Sequence, residues 1–223
     1  MSLLFRRFRS GARRTALAGL LALLPALALA HPHGWIDIRV RLVVDEEGRL
    51  EALHQAWRMD PFYSLVLIEE LSQTEGGLEA GLDRLGGEIR GNLEPFDYFT
   101  ELRMGDDALR LGDVTEYTVM ERDGRVEFVF LLPLAEPRTL SEQTLQYQVF
   151  DPTYYLEVVH AAEGDTPDDD ALTVGGGLNC TTRVLPADPD PERVMEASML
   201  DVQDQAEPGL GRHFAETGVV ECE

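Results

Sequence analysis

The chain has 223 residues, with 41 acidic side chains against 19 basic ones and a formal charge of −22. All the basic residues are arginine. Such an acidic excess sets aside nucleic acid and anionic lipid as partners, since both need the opposite sign. The length beyond residue 30 suits one domain with a sizeable core.

Residues 1–30 read as a signal peptide. Arg6, Arg7, Arg9, Arg13 and Arg14 form a positive end, and Ala16 to Ala30 is an apolar stretch too short to span a bilayer comfortably. It ends in an A-x-A cleavage site, Ala28-Leu29-Ala30. A cut there makes 31–223 a single periplasmic domain without a stable membrane anchor. That domain sets 14 arginines against 41 carboxylates, a formal charge of −27. A second A-x-A site, Ala26-Leu27-Ala28, would leave Leu29 first instead.

Strand patterning begins immediately. Ile36, Ile38, Val40, Leu42 and Val44 fall on one face and Trp35, Asp37, Arg39 and Arg41 on the other, the signature of a half-buried strand. Asp45-Glu46-Glu47-Gly48 is a turn, and Arg49 to Arg58 returns as a second strand whose register is open by one residue. In either register Asp60 comes back beside the start of the first strand. Pro61 to Gln73 is expected to be helical, with proline in the first turn. A second helix, weakened by glycines, is expected over about Leu78 to Leu93. Strands are then expected at Phe96–Met104, Ala108–Leu111, Thr115–Glu121 and Arg125–Leu132, with Asp123-Gly124 as the hairpin turn of the last pair. Further strands are expected at Thr144–Phe150, Tyr154–His160 and Thr181–Leu185. The acidic, glycine-rich stretch Glu163–Gly177 reads as a loop, Glu192–Leu200 as a helix, and the tail as irregular up to Cys222. The fold class is α+β: a mainly antiparallel, sandwich-like sheet with two helices inserted after the first hairpin. Cys180 and Cys222 are the only cysteines. In an exported protein they default to one disulfide, with thiolate metal ligation as the alternative.

The chemistry concentrates at the mature terminus, His31-Pro32-His33-Gly34-Trp35-Ile36-Asp37. Cleavage after Ala30 would give His31 a free amine beside its imidazole, with a second imidazole two residues on. Imidazole and neutral amine nitrogens suit nickel, cobalt, zinc and copper. The planar four-nitrogen site with histidine third is excluded, because Pro32 has no N–H to lose. What remains is a brace at His31, with His33 and the carboxylate of Asp60 as further ligands. Asp37 lies two side-chain repeats from His33, roughly 13 Å along a straight strand, and would need a bend at Gly34 to join. His160 follows Tyr154, Leu156 and Val158 on one strand face and could line the same pocket. His54 and His213 read as structural and surface residues. The plain alternative for His-Pro-His is a polar lead-in to a strand. Asp168-Asp169-Asp170 lacks the spaced ligands of a calcium loop. No nucleophile elbow, phosphate loop or zinc-protease helix motif is present.

Three segments together, His31–Asp37, Trp57–Tyr63 and Phe150–Tyr155, resemble an exported bacterial family called domain of unknown function one thousand and seven. Its members are labelled as the periplasmic component of an uncharacterised ABC-type transport system, and they are commonly encoded beside nickel/cobalt permeases or exporters. The resemblance implies divalent metal handling and carries over His31, His33, Asp37, Asp60, Tyr63, Asp151 and Tyr154 as motif residues. The expectation is a metal-binding protein, not an enzyme, whose partner is a membrane metal transporter. His31, His33 and Asp60 are the expected ligands, and Asp37, Tyr63, Asp151, Tyr154 and His160 the expected pocket. The alternatives are a copper protein with a histidine brace, either carrier or oxidative enzyme, and a scaffold whose terminus binds no metal.

Overall fold

The computed structural model describes residues 32–141, 143–200 and 206–223; the expected leader and His31 lie outside them. Strand β1 (Gly34–Val44) and strand β2 (Arg49–Met59) form the expected hairpin. Ile36, Ile38, Val40 and Leu42 are buried, and Trp35 stays exposed. Ile36 faces Met59 and Asp37 faces Arg58, which fixes the register that the sequence left open. The turn is locked by Asp45 Oδ1, which accepts from the amides of Glu47 at 3.0 Å and Arg49 at 2.8 Å.

Two helices follow, α1 (Pro61–Ser72) and α2 (Gly77–Leu93). The glycines that weaken α2 by propensity let it pack closely. A Cβ at Gly81 would fall 2.8 Å from the Leu71 side chain, and one at Gly86 would fall 3.3 Å from Tyr117 and Val119. Residues 96–99, expected as strand, instead belong to a 3-10 turn over Glu94–Phe99. Asp97, Tyr98 and Phe99 there have positive φ, and this swings Tyr98 into the core against Phe130, with ring centroids 5.6 Å apart. Only Thr100–Met104 is strand, as β3. The strand expected at Ala108–Leu111 shrinks to β4 (Asp107–Ala108), with Leu111 bridging to Leu134.

Strands β5 (Glu116–Arg122) and β6 (Arg125–Thr139) are joined at Asp123-Gly124, where both residues take the positive φ of a primed hairpin turn. The first sheet runs β11 (Leu172–Val174), β1, β2, β6, β5, and β8 (Leu156–His160) also pairs with β1. Both β8 and β11 are parallel to β1 and share its outer edge end to end. The acidic segment read as a loop therefore contains strand β11, preceded by a small ribbon of β9 (Ala162–Glu163) and β10 (Thr166–Pro167). Arg39 on β1 draws it in through Asp168 at 2.7 Å and Asp170 at 3.0 Å, and Ala171 and Leu172 are buried behind.

The second sheet runs β12 (Cys180–Leu185), β13 (Thr217–Cys222), β7 (Leu145–Val149), β3 and β4. A short helix, α3 (Pro191–Ser198), precedes the tail. That tail is not irregular: a 3-10 turn over Gly211–Phe214 leads into β13, whose Val219 and Val220 are buried. Cys180 stands directly opposite Cys222 in the β12–β13 ladder and is disulfide-bonded to it, so neither sulfur is a thiolate ligand. The sheets share one core, in which Ile38, Leu42, Leu53 and Phe130 of the first meet Leu102, Leu145, Tyr147 and Val220 of the second. This is the expected sandwich-like α+β arrangement.

Candidate functional site

The head of β1 lies between two Asp-Pro turns. On one side the Asp60 amide donates to the Trp35 carbonyl at 3.1 Å; on the other the His33 amide donates to the Tyr155 carbonyl at 2.9 Å. Gly34 is in register with Leu156 of β8. The three segments that are far apart in sequence, His33–Asp37, Trp57–Tyr63 and Phe150–Tyr155, thus meet around Gly34.

Asp60 caps α1. Its Oδ1 accepts from the amides of Phe62 at 3.0 Å and Tyr63 at 2.9 Å, satisfying two otherwise unpaired donors of the first turn. Pro61 at the first helical position has no N–H to satisfy. The other oxygen, Oδ2, accepts no hydrogen bond among the described residues and lies against Gly34, where a Cβ would be only 3.0 Å away. Asp151 builds a similar turn but engages both oxygens. Its Oδ1 accepts from the Thr153 amide (2.9 Å) and hydroxyl (2.8 Å), and its Oδ2 from the Leu156 amide (3.1 Å).

Both aspartates are buried, and both line a cavity of about 260 Å3 between the first sheet and α2. Its walls are Trp35, Ile36, Trp57, Met59, Tyr63, Ile89, Asn92, Leu93, Phe99, Phe128 and Leu156. No arginine, lysine or histidine lines it, and neither aspartate is in an ion pair among the described residues. Trp57 is held by a buried chain: its indole N–H donates to Gln55 Oε1 at 2.8 Å, Gln55 Nε2 donates to the Thr100 hydroxyl at 3.0 Å, and that hydroxyl donates to the Tyr98 carbonyl. Ser64 docks α1 on the sheet, donating to the Met59 carbonyl and accepting from the Val126 amide.

The remaining expected site residues separate. Asp37 is neutralised by Arg125 at 2.9 Å, and that guanidinium also donates to the Met59 and Arg58 carbonyls. Asp37 is absent from the cavity wall. Tyr154 stacks on Phe214 with centroids 4.1 Å apart, in a small separate core with Ala197, Ala206 and Leu210. Burial first, then the nearby Glu157, push its phenol up to about 12. His160 does not reach the cavity. It is buried between the sheets, with Nδ1 2.8 Å from Glu216 Oε2 and Nε2 2.6 Å from the Tyr147 hydroxyl. In the tautomer that carries its proton on Nδ1, toward Glu216, Nε2 accepts from the Tyr147 hydroxyl. Burial, then Glu216, hold the Tyr147 phenol well above its ordinary value. Glu157 is likewise raised by burial and then by Glu216.

His33 is exposed beside Tyr155, with ring centroids 4.4 Å apart. The His33 ring thus packs toward Tyr155, while Asp60 lies against the next residue, Gly34; His31, the third expected ligand, lies outside the described residues. Among the described residues no three His, Cys, Asp or Glu side chains gather as a metal site, so a complete donor set of the expected kind requires His31. Sequence reasoning missed the α2 wall (Ile89, Asn92, Leu93) together with Phe99 and Phe128. The strand alternation around Trp57 and Phe128 marks those two as inward-facing, but nothing local ties them to Asp60.

Fold and site together define an α+β protein of two facing sheets, with a carboxylate-bearing aromatic cavity at the head of its first strand. No helix among the described residues is long and apolar enough to cross a membrane. The chain belongs to the family described as protein of unknown function (DUF1007), whose family model matches residues 16–222. An uncharacterised protein of Haemophilus influenzae is 27% identical over 198 residues, 87% of this chain and 92% of the relative. An uncharacterised 15.5 kDa protein encoded in the trpE 3′ region of Spirochaeta aurantia is 31% identical over 96 residues, 43% of this chain and 66% of the relative. Among solved structures, AChBP from Bulinus truncatus is similar over 96% of this chain and 99% of that one, at 10% identity and a TM-score of 0.34. That likeness is too slight to carry an argument.

Proposed function

We propose that this protein binds a divalent transition-metal ion of the nickel, cobalt and zinc class in the periplasm. It would serve as an accessory or solute-binding component of a membrane metal transporter and not as an enzyme. The ion is cargo. His31 and His33 supply nitrogens and Asp60 supplies Oδ2, with Tyr63 and Asp151 shaping the neighbouring wall. The observation that carries this reading is Asp60 Oδ2, which lies against Gly34, one residue along the chain from His33, and among the described residues accepts no hydrogen bond and meets no neutralising arginine. The net acidic charge is compatible with it, since it attracts cations, though diffusely. If cleavage follows Ala30, the exposed His33 lies next to the new terminus, which leaves a route for exchange as a carrier requires.

The test is calorimetry of the exported protein with nickel, cobalt, zinc and copper, after mass spectrometry has established its first residue. Binding that is lost in both His33→Ala and Asp60→Asn supports the proposal. Wild-type binding by both variants, or no binding of any ion, overturns it. Copper-selective binding with peroxide-dependent turnover would point instead to the histidine-brace alternative.

A further inference from the structure

The cavity offers more than a bare ion would use. A divalent metal at Asp60 Oδ2 would engage its rim and leave the carbon walls of Trp57, Leu93, Phe99 and Phe128 in contact with nothing. Yet the cavity is not simply apolar, because Asp60 and Asp151 are only 8% and 7% exposed and face no basic side chain across it. Asp151 is saturated by its three local donors. Asp60 Oδ2 accepts no hydrogen bond among the described residues, and it is not one of their fully enclosed side-chain atoms without a hydrogen bond. That oxygen is therefore buried yet reachable.

A nearly buried carboxylate oxygen with no basic neighbour favours a cation, and aromatic faces beside it favour one with a diffuse charge on a carbon frame. We propose that the cavity binds a small organic ammonium ion, its N–H on Asp60 Oδ2 and its hydrocarbon body against Trp57, Phe99 and Phe128. The volume of about 260 Å3 lies below the range of roughly 300–1,000 Å3 that holds drug-sized ligands. An amine carrying one ring or a short branched chain fills it. This assignment stands apart from the metal reading. The two cations need the same oxygen, so they exclude each other there, but either can fail without the other.

The chain has two tryptophans, Trp35 and Trp57, and both line the cavity, so intrinsic fluorescence reports its occupancy. The metal-free exported protein is titrated with methylammonium, benzylammonium and phenethylammonium, and with 2-phenylethanol as the neutral counterpart of the last. The expected result is a saturable change with a ring-bearing amine and at least tenfold weaker binding of the alcohol. Asp60→Asn keeps the helix cap, since asparagine caps as well as aspartate, and should bring the amine to the level of the alcohol. Ile89→Phe fills the cavity from α2 and should weaken both, with circular dichroism confirming that each variant is folded. The proposal is overturned if alcohol and amine bind alike, if Asp60→Asn leaves the preference unchanged, or if no amine saturates below about 10 mM, which is weaker than roughly −3 kcal/mol of binding.

Discussion

Asp60 has two separable jobs, one for each carboxylate oxygen, and a pair of substitutions tells them apart. Oδ1 holds the amides of Phe62 and Tyr63 at 3.0 and 2.9 Å, and the side chain is buried. Removing it in Asp60→Ala strands those donors away from water, so the cost should fall in the upper part of the capping range, about 1–2 kcal/mol. For a domain of this size that lowers Tm by roughly 2–8 °C. Asp60→Asn preserves the acceptor at Oδ1 and should stay within about 0.5 kcal/mol of wild type. It removes the charge at Oδ2 and should cost at least tenfold in metal affinity. Thermal melts read both effects. Metal at a hundred times Kd stabilises a native-only binder by about 2.7 kcal/mol. At the same concentration a tenfold weaker variant gains only about 1.4 kcal/mol, so its Tm rise should be half that of wild type. If Asp60→Asn gains as much as wild type, Oδ2 is not a ligand. If Asp60→Ala melts with wild type, the cap carries none of the stability assigned to it.

Tyr147→Phe leaves His160 Nε2 buried without its donor and should cost about 1–3 kcal/mol at neutral pH, read from denaturant midpoints. The raised phenol of Tyr147 makes its contribution present below the ordinary tyrosine range and lost as pH rises past it. Tyr147→Phe should therefore also lose less stability than wild type between pH 9 and 11. Glu157 is raised by burial and then by Glu216, so its contribution is present at low pH and lost as pH rises through the carboxylate range. Glu157→Gln should melt above wild type at pH 7, with the gain shrinking on acidification; a lower melt at pH 7 would refute the sign. Breaking the disulfide in Cys180→Ser with Cys222→Ser releases a sequence separation of 42 and should cost up to about 4 kcal/mol in the chain-entropy model, checked by unfolding with and without reductant. Gly211→Ala would place a Cβ 1.8 Å from the Asp151 carbonyl oxygen. A backbone atom cannot swing aside, so this variant should lose at least about 2 kcal/mol and loosen the Asp151 turn, seen as faster amide exchange at Leu156.

What the sequence made legible was whatever a local period or a turn residue encodes. The β1–β2 hairpin, the Asp123-Gly124 turn and the start of α1 at Asp60-Pro61 each follow from a few adjacent residues, and each is where its pattern puts it. The failures share a cause. β11 is strand because the edge of β1, more than a hundred residues earlier, pairs with it and buries Ala171 and Leu172; composition alone reads the adjoining aspartates, which Arg39 holds, as solvated loop. Tyr98 lies outside the strand, where a turn with positive φ sets its ring against Phe130, a contact distant in sequence that no local period encodes. β13 is strand because β7 and β12 each offer it an edge. For His160, strand alternation gave the inward face correctly, but it could not say that Glu216 and Tyr147 occupy both ring nitrogens.

The two Asp-Pro turns show how little separates a scaffold from a site. Both aspartates begin a turn, both are buried, and both line the same cavity. The family resemblance carries both over as motif residues, and the return of the second strand beside the first is what singles out Asp60 as the ligand. Asp151 fails that role because Thr153 and Leu156 claim both of its oxygens, and recruiting it would break three bonds that shape the entry to β8. Asp60 can serve because Pro61 supplies no amide and the remaining donors of the helix start converge on one oxygen. Its second oxygen is left facing Gly34, the single position between His33 and Trp35 where a side chain would crowd it. A methyl group there, in Gly34→Ala, should therefore weaken cation binding without touching any donor. Calorimetry of that variant showing wild-type affinity for metal and for amine alike would mean that the cation sits elsewhere.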